Sequence, residues 1–440
     1  MSKLRLQTVP HGGGVFGAGV EGLGGIGGSP RGPLNIVHVF WIAGMSCDGC
    51  SIAASGATNP SVEDLLLGRI PNLPKVVLHH PVLSPGAGTE FIAPFRRAAE
   101  GTLGAPYVVV LEGSVPDDQG FDSPFGYFSG MGVGGFDPDH DTEQPIRVSD
   151  WLWRLAPGAA AYVAMGTCAS WGGIPAAAGN ITGSMSLTDF LGKDYRSALG
   201  VPVVNIPGCS PVGDNFTEMV VAVLMFLQNL APIPKFDELG RPAWLFEETV
   251  HRHCPKAGYY EEGVFAEEPG DNQCLVEIGC WGPVVQCNIV ERGAINNMGG
   301  CMVAGGACIG CTMPGFPDKF SPFYKSAPGS AISGGVSKVT GGAIRRLRRV
   351  SMKSGNSQPM WDKAHENPSG WSDDYSGPGA VGRANAFFYK KLQYRGSVNY
   401  AKRNKQQPLP QSRNILSQQG AGLPPNAGVF GDTVEHREGT

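Results

Sequence analysis

The amino-acid sequence predicts an α/β protein built on a doubly wound parallel sheet, followed by a loop-rich segment and an irregular C-terminal extension. From residue 34 to about residue 230, short β-branched apolar runs alternate with segments able to form helices, as in a parallel sheet covered on both faces. Seven of the eleven cysteines fall between residues 247 and 311. Gly (65) and Pro (36) concentrate in residues 1–33 and after about residue 312. The 440 residues suffice for two or three domains.

Five apolar runs have the length and composition of strands that are buried on both faces. They are residues 34–43, 75–82, 107–111, 161–165 and 201–206. The segments between and after them predict helices over residues 61–67, 91–100, 149–155, 187–191 and 215–230. In the last helix, Asn215 with Glu218 three positions later predicts a capping box. We expect the apolar face of this helix to pack on the sheet.

The charge balance gives no support for nucleic acid as a partner. The chain has 34 Lys and Arg against 38 Asp and Glu, a net charge of −4 and a pI near 6.2. Residues 1–33 lack the apolar centre of a signal peptide and a twin-arginine pair. The longest apolar run, residues 219–227, is shorter than the ~20 residues that a membrane span needs. These features predict a cytoplasmic protein without a transmembrane segment.

The cysteines are the first indication of chemistry. An odd number in a chain expected to be cytoplasmic argues against a disulfide framework and favours metal or redox chemistry. Cys47 and Cys50 follow the first predicted strand, Cys168 follows the fourth and Cys209 the fifth. In open α/β sheets, ligands bind at the carboxyl ends of the strands, so these four thiols are expected to converge. One such cysteine alone is usually a small buried apolar residue.

A second set of candidate ligands lies in residues 251–280. His251-x2-Cys254 is followed by Cys274-x5-Cys280. A histidine in place of a thiolate occurs in other iron–sulfur centres and raises their reduction potential. The same His-x2-Cys spacing also suits zinc, and His253 is a second candidate for the histidine ligand. Because thiolates recur along the chain, we favour an iron–sulfur cluster with His251 as its ligand.

The third set is Cys287, Cys301, Cys308 and Cys311. Four thiols suit a complete four-iron cluster, whereas three suit a three-iron cluster. The Cys-x2-Cys pair at its end also marks zinc ribbons and thioredoxin-type redox motifs. A thioredoxin motif follows a strand and opens a helix, and the sequence here predicts neither. A zinc-stabilised binding protein remains an alternative, although zinc would leave the other sets unexplained.

Several motifs in a fixed order resemble the small subunit of nickel–iron hydrogenases. The resemblance covers about residues 34–318. It rests on CDGC at 47–50, LEGSVP at 111–116, MGTCASWGGIP at 165–175, IPGC at 206–209, GRPAWLF at 240–246, the two histidine and cysteine spacings of the second set, CWGP at 280–283, and the Cys308-x2-Cys311-x2-Pro314 pattern.

The resemblance implies a flavodoxin-like domain over residues 34–235, with a proximal cluster beside the catalytic large subunit, and a medial and distal iron–sulfur cluster domain over residues 236–318. Residues 1–33 are then a Gly-rich arm, and residues 319–440 an extension expected to mediate oligomerisation. The implied cofactors are three 4Fe-4S clusters. Their implied ligands are Cys47, Cys50, Cys168 and Cys209 (proximal), Cys287, Cys301, Cys308 and Cys311 (medial), and His251, Cys254, Cys274 and Cys280 (distal).

The sequence departs from the family pattern at informative positions. Cys301 stands where the common medial site has a proline, so the resemblance implies a four-iron medial cluster of lower potential, as in the soluble, oxygen-tolerant actinobacterial-type enzymes. The extra cysteine of membrane-bound oxygen-tolerant enzymes would fall at Gly49, so their unusual proximal cluster is not expected. Asp48 is either an iron ligand in place of a thiolate or a turn-stabilising residue. Glu112 either assists proton movement or is a buried structural carboxylate.

The function implied by this resemblance is electron transfer. The nickel–iron centre of the partner subunit cleaves dihydrogen, this chain carries the electrons singly to an unknown acceptor, and the chain is active only with the large subunit. Alternatives are a hydrogen-sensing subunit and the cluster-bearing subunit of a quinone oxidoreductase. The arginine-rich run at residues 345–349 could bind an anionic membrane surface or another protomer. We expect a heterodimer, or a dimer of heterodimers or larger.

Overall fold

The centre of the molecule is a five-stranded parallel sheet. A computed structural model describes residues 34–118, 127–134, 145–237, 239–321, 323–324, 334–336, 338–341 and 343. In chain order the strands of the sheet are β1 (Ile36–Ala43), β2 (Lys75–His79), β3 (Tyr107–Glu112), β6 (Ala161–Met165) and β7 (Val204–Ile206), and their spatial order is β2-β1-β3-β6-β7. This order reverses between β1 and β3 and is that of the flavodoxin-like fold. The predicted fold class is confirmed.

The strand bounds differ from the prediction where proline interrupts the hydrogen-bond ladder. The second strand ends at His79, two residues before Pro81, and the last begins at Val204, after Pro202. A proline has no N–H to donate, so it is poorly tolerated inside a parallel sheet. A small antiparallel pair, β4 (Gly130–Val133) with β5 (Pro145–Arg147), was not predicted.

Helices cover both faces of the sheet. In chain order they are α1 (Gly49–Ser55), α2 (Val62–Leu66), α3 (Gly88–Ala99), α4 (Val148–Leu155), α5 (Gly166–Trp171), α6 (Leu187–Leu191), α7 (Gly213–Leu227), α8 (Ala243–Phe246), α9 (Ala257–Glu261) and α10 (Ile289–Arg292), with a 3-10 turn at Val250–His253. One apolar core includes Phe95 of α3 and Trp151 of α4. The core on the opposite face includes Leu65 of α2 and Phe216 of α7.

The predicted capping box at Asn215 and Glu218 is wrong. Helix α7 begins at Gly213, two residues earlier, and its N-cap, Val212, has no side-chain capping bond. Asn215 and Glu218 are buried within the helix and bond to the cysteine-rich segment that follows. True capping boxes occur elsewhere, at Ser61 with Asp64 and at Ser186 with Asp189.

The cysteine-rich segment has a small apolar core of its own, which the sequence did not predict. Trp281 and Phe320 pack edge to face with ring centroids 4.6 Å apart, and Phe316 packs beside them. Cys254, Cys280 and Cys308 are buried members of the same core. The segment therefore combines ordinary apolar packing with thiol-rich walls, rather than relying on metal centres alone for a core.

The described part of the C-terminal extension lies on the cysteine-rich segment. Lys338 Nζ forms an ion pair with Glu277 at 2.7 Å and lies over the ring of Phe265. The arginine-rich run at residues 345–349 and the N-terminal arm at residues 1–33 lie outside the described residues. No helix within the described ranges is long and apolar enough to cross a membrane.

Candidate iron–sulfur centres

The four proximal cysteines meet at the carboxyl edge of the sheet. Cys50 lies in the first turn of α1, Cys168 in α5, and Cys47 and Cys209 in exposed turns that follow β1 and β7. Burial raises the pKa of the Cys50 thiol most, and the negative charges of Glu112, Cys168, Cys47 and Cys209 raise it further. The thiols are therefore close enough to interact, and these groups need a compensating cation to be ionised together.

Gly166, at the start of α5, makes the close approach of these elements possible. Its φ is +85°, and a Cβ at this position would overlap Cys50 Sγ. At Gly49, between Cys47 and Cys50, a Cβ would lie 3.2 Å from Cys47 Sγ, a tight but smaller conflict. The steric requirement for glycine is therefore stronger at Gly166 than at Gly49.

Glu112 holds the start of α1 from the end of β3. Its side chain is buried, with Oε1 accepting the N–H groups of Cys50 (2.9 Å) and Ser51 (3.3 Å). Oε2 accepts Nε1–H of Trp41 (2.9 Å) and the hydroxyl of Ser51. A carboxylate at a helix N-terminus satisfies N–H groups that have no partner within the helix. Glu112 thus fixes the turn that carries Cys50.

His80 extends this network and was missed by the sequence reasoning. Its Nδ1 accepts the N–H groups of Val82 (3.1 Å) and Leu83 (3.3 Å), so the ring proton is assigned to Nε2, 2.9 Å from Ser51 Oγ. Burial lowers the pKa of His80, while the charges of Glu112 and Asp48 oppose that change. His80, Ser51 and Glu112 therefore form a continuous hydrogen-bonded network behind the proximal cysteines. No motif in the sequence pointed to this network.

Asp48 has the left-handed backbone conformation, with φ 60° and ψ 5°, at the N-cap of α1. Its side chain makes no capping bond to the helix, while its own N–H donates to Ser46 Oγ at 3.1 Å. Its side chain is exposed beside Cys47. Asp48 therefore does not stabilise this turn by capping the helix with its side chain.

The medial set lies where the cysteine-rich segment meets the sheet domain. Burial raises the pKa of Cys287 to about 12, and it also raises the pKa values of Cys308 and Cys311. The charge of Cys301 further raises the pKa of Cys287, which places Cys301 with this set although its side chain is exposed. The structure therefore brings all four predicted medial thiols together.

The distal set surrounds a small cavity of about 10 Å³ lined by His251, Cys254, Cys274 and Cys280, among other residues. Burial lowers the pKa of His251 to about 4, which keeps its imidazole neutral, as a metal ligand must be. The ring of Tyr260 packs edge to face on it, with centroids 4.7 Å apart. His253 instead faces Glu291, with Nε2 3.8 Å from Oε2, and does not line the cavity.

Short contacts join the three sets in a row. The N–H of Cys308, a medial residue, donates to Sγ of Cys280, a distal residue, at 3.3 Å. Burial raises the pKa of Cys311 most, and the charges of Cys287, Cys301 and Cys209 raise it further. The Thr167 hydroxyl also donates to the carbonyl of Cys311. The spatial order is therefore proximal, medial, distal.

The donor sets suit iron–sulfur clusters better than zinc. A structural zinc site holds four ligands at about 2.0–2.3 Å from one ion. The eleven thiols and His251 make up three sets of four, and thiolate-rich sets in series are typical of iron–sulfur proteins. All eleven cysteines are free, and Cys280 Sγ accepts the N–H groups of Gly282 and Cys308, as cluster ligands commonly do. Three thiol-rich sets in a row define an electron-transfer protein of the iron–sulfur class.

Comparisons with known proteins identify the family. Residues 246–324 match the family described as the C-terminal part of NiFe/NiFeSe hydrogenase small subunits, and residues 47–223 match NADH ubiquinone oxidoreductase, 20 Kd subunit. The chain is 33% identical over 288 residues to the periplasmic NiFeSe hydrogenase small subunit of Desulfomicrobium baculatum, covering 65% of this chain and 86% of that protein. It is 30% identical to the hydrogenase-2 small chain of Escherichia coli K12, covering 71% and 81%.

The chain belongs to the family of nickel–iron hydrogenase small subunits. Among solved structures, it is similar to the actinobacterial-type NiFe-hydrogenase from Ralstonia eutropha H16, with 49% identity, a TM-score of 0.69, and coverage of 75% of this chain and 94% of that one. A small subunit of this family carries iron–sulfur clusters and acts with a large subunit that holds the nickel–iron centre. The predicted family, electron-transfer function and cofactor class are confirmed.

Proposed function

We propose that this chain takes electrons from the large subunit at the proximal cysteines and delivers them singly through the medial site to the distal site. The clusters supply one-electron redox chemistry when bound. The chain's own residues hold them, exclude water and donate N–H groups to sulfur. The observation that carries the proposal is the pair of hydrogen bonds that joins successive sets. The hydroxyl of Thr167, next to Cys168, donates to the Cys311 carbonyl, and the Cys308 N–H donates to Cys280 Sγ.

The proposed ligands are those implied by the sequence. The set at the sheet edge is Cys47, Cys50, Cys168 and Cys209, the middle set is Cys287, Cys301, Cys308 and Cys311, and the outer set is His251, Cys254, Cys274 and Cys280. The proposed domains are residues 34–235 for the first set and residues 236–318 for the other two. Residues 1–33 are proposed to be an N-terminal arm and residues 319–440 a C-terminal extension, which begins against the second domain because Phe320 packs in its core.

Dihydrogen-dependent dye reduction by the anaerobically purified complex tests the function. We expect activity when a tag on this chain co-purifies the large subunit, and loss of activity when that subunit is stripped away. A nickel-containing complex with an intact large subunit and no activity would contradict the proposal. A very slow turnover with a bound kinase would instead indicate a hydrogen sensor.

Cys301 is proposed to be the fourth ligand of a medial 4Fe-4S cluster. Replacing its thiol with a hydroxyl, in Cys301→Ser, should favour loss of one iron and create a three-iron centre. Electron paramagnetic resonance of the oxidised complex measures this directly, because an oxidised three-iron cluster is paramagnetic. Cys274→Ser is the matched control, and it should change the distal signal while leaving the medial one. A Cys301→Ser spectrum identical to wild type would exclude Cys301 as a ligand.

Asp48 is proposed to be an iron ligand at the proximal site, because its exposed carboxylate makes no capping bond and the residue lies between Cys47 and Cys50 in the chain. Asp48→Asn keeps the size of the side chain and removes its charge. We expect a changed proximal spectrum with the medial and distal signals unaltered. Glu63→Gln, on α2, is a control for loss of an exposed carboxylate. An unchanged proximal spectrum in Asp48→Asn would leave Asp48 as a turn residue.

Oxygen tolerance, a cytoplasmic location and an assembly larger than a heterodimer are further parts of the proposal. Similarity to an actinobacterial-type enzyme supports the first, while periplasmic enzymes among the relatives make fractionation of the native host the necessary test of location. Activity retained under air, measured beside an oxygen-sensitive hydrogenase, tests tolerance. The electron acceptor requires co-purification from the same host.

A further inference from the structure

Arg241 is a buried cation at the start of the cysteine-rich segment. Its side chain is 2% exposed, and its guanidinium lies 5.1 Å from the ring centroid of Phe246. Nε donates to Asp237 Oδ2 at 2.8 Å, and Nη2 donates to Gln286 Oε1 at 2.5 Å. Nη1 lies 4.0 Å from Met313 Sδ. A guanidinium stays charged in such surroundings, so its field acts on whatever lies beside it.

The groups that Arg241 touches belong to the medial site. Gln286 immediately precedes Cys287, and its carbonyl accepts the Thr312 hydroxyl, next to Cys311, at 2.9 Å. Met313 follows Cys311 by two residues. These contacts place the guanidinium of Arg241 beside the backbone that carries Cys287 and Cys311. Its positive charge therefore stabilises negative charge at the medial thiols.

Asp237 does not cancel this effect at the medial site. Its Oδ1 accepts the N–H groups of Leu239 and Arg241, both at 2.9 Å, and its side chain is 17% exposed. Solvent screens the carboxylate more strongly than the guanidinium. Asp237 bonds to Leu239 and Arg241 within its own turn, whereas Arg241 reaches Gln286 and Met313 beside the medial cysteines. The ion pair is thus oriented with its positive end toward the medial site.

We propose that Arg241 raises the reduction potential of the medial cluster and offsets the additional negative charge that the fourth thiolate, Cys301, brings to that site. This inference rests on the proposed function of the medial cysteines. Adding an electron makes a cluster more negative, and a nearby buried cation stabilises that reduced form through Coulomb attraction. Arg241 would therefore keep the reduction potential of the medial cluster close to the potentials of the proximal and distal clusters.

Potentiometric titration of the complex, followed by electron paramagnetic resonance, tests this inference. Arg241→Met removes the charge and keeps an apolar side chain of similar length. We expect the midpoint potential of the medial cluster to shift to a more negative value, with the proximal and distal midpoints nearly unchanged. Arg241→Lys should restore most of the wild-type value, because it restores the charge without the forked geometry.

Two further variants separate charge from folding. Asp237→Asn preserves an oxygen for the Leu239 and Arg241 N–H groups, and should shift the medial midpoint to a more positive value. Arg69→Met removes an exposed arginine that pairs with Asp64 in the sheet domain, and should leave the medial midpoint unchanged. Unchanged medial midpoints in both Arg241→Met and Asp237→Asn would overturn the inference. Absence of any medial signal in the wild-type complex would instead contradict the proposed function.

Discussion

At the scale of single residues, burial shifts pKa values and so determines which side chains are charged in the folded protein. His38 of β1 and His79 of β2 stack with centroids 5.1 Å apart, and Nδ1 of one lies 2.8 Å from Nε2 of the other. Burial lowers the pKa of His79 to about 4, and the charges of His38 and Arg97 lower it further. One shared proton satisfies this pair, whereas protonation of both rings places like charges in contact.

The His38–His79 pair predicts acid sensitivity. The folded-state pKa of His79 lies below its unfolded value, so its contribution to stability is complete above about pH 6.5 and is lost as the pH falls toward 4. We expect His79→Gln to lose less stability than wild type over this interval, by roughly 1–2 kcal/mol. Thermal unfolding of the complex at several pH values measures the difference. A constant gap between the two proteins would contradict the prediction.

Two substitutions of Glu112 distinguish a structural role of its carboxylate from a role in proton transfer. Glu112→Ala leaves the N–H groups of Trp41, Cys50 and Ser51 without their acceptor, at about 1–3 kcal/mol each. We expect this variant to lose stability and proximal iron together. Glu112→Gln retains one acceptor oxygen and should keep the iron. If Glu112 also transfers protons, Glu112→Gln will slow the exchange of dihydrogen with deuterated water that the complex catalyses. An unaltered exchange rate would show that the role of Glu112 is structural alone.

At the scale of elements, turns and helix ends bring the thiols together. Most element positions followed from apolar patterning, and the helix at Leu187–Leu191 and the strand at Ala161–Met165 have the predicted bounds. The start of α7 was not predicted correctly, because the side chains of Asn215 and Glu218 bond to residues that are distant in the sequence. Asn215 exchanges two hydrogen bonds with Asn288, at 2.9 and 2.8 Å. Local spacing cannot distinguish a cap from a buried partner of another element.

Helix α5 predicts a steric requirement at Gly166. In Gly166→Ala, the new methyl group would overlap Cys50 Sγ, and the φ of +85° adds backbone strain. We expect loss of proximal iron and of dye-reduction activity. Gly179→Ala is the matched control, since Gly179 has φ +98° with nothing within 4 Å of a Cβ. Equal iron content in the two variants would show that backbone strain, rather than the thiol contact, dominates.

The contact between α7 and α10 predicts a strong coupling of two elements. Arg292 Nη2 lies 2.5 Å from Glu218 Oε2, with side-chain exposures of 8% and 5%, and Trp244 Nε1–H donates to Glu218 Oε1 at 2.7 Å. Arg292→Met would leave the carboxylate buried without its cation, at about 3–5 kcal/mol. We expect Glu218→Gln combined with Arg292→Met to recover much of that loss. Unfolding of the four proteins of this double-mutant cycle measures the coupling.

At the scale of the whole molecule, the C-terminal extension is the part that lies outside the resemblance to hydrogenase small subunits. Lys338 anchors its described portion to Glu277, while the longer remainder, including the arginine-rich run, lies outside the described residues. The sequence predicts that this remainder mediates oligomerisation. A truncation beyond residue 343 would retain the Lys338 contact and remove the remainder.

Such a truncation predicts a smaller assembly. We expect the complex ending at Ala343 to retain its three clusters and its dye-reduction activity, and to contain fewer copies of the heterodimer, as counted by mass photometry against the mass of one truncated heterodimer. Replacing the four arginines of residues 345–349 with glutamine tests whether the charged run alone is responsible. An unchanged number of heterodimers and unchanged stability after truncation at Ala343 would refute the proposed role in assembly.

The sequence alone determined the sheet and the family, and it predicted the grouping of the cysteines. Local apolar runs indicated the buried strands, and thiols placed after strands, together with short Cys and His spacings, indicated the candidate ligands. Tertiary structure alone decided the contacts between the sets, the hydrogen bonds of Glu112 and His80, the burial of Arg241, and the true start of α7. Each depends on contacts between residues far apart in the chain, such as Arg241 with Gln286 and Cys308 with Cys280. Such contacts arise only when the elements pack, because hydrogen bonding and Coulomb attraction depend on distance in space rather than along the chain.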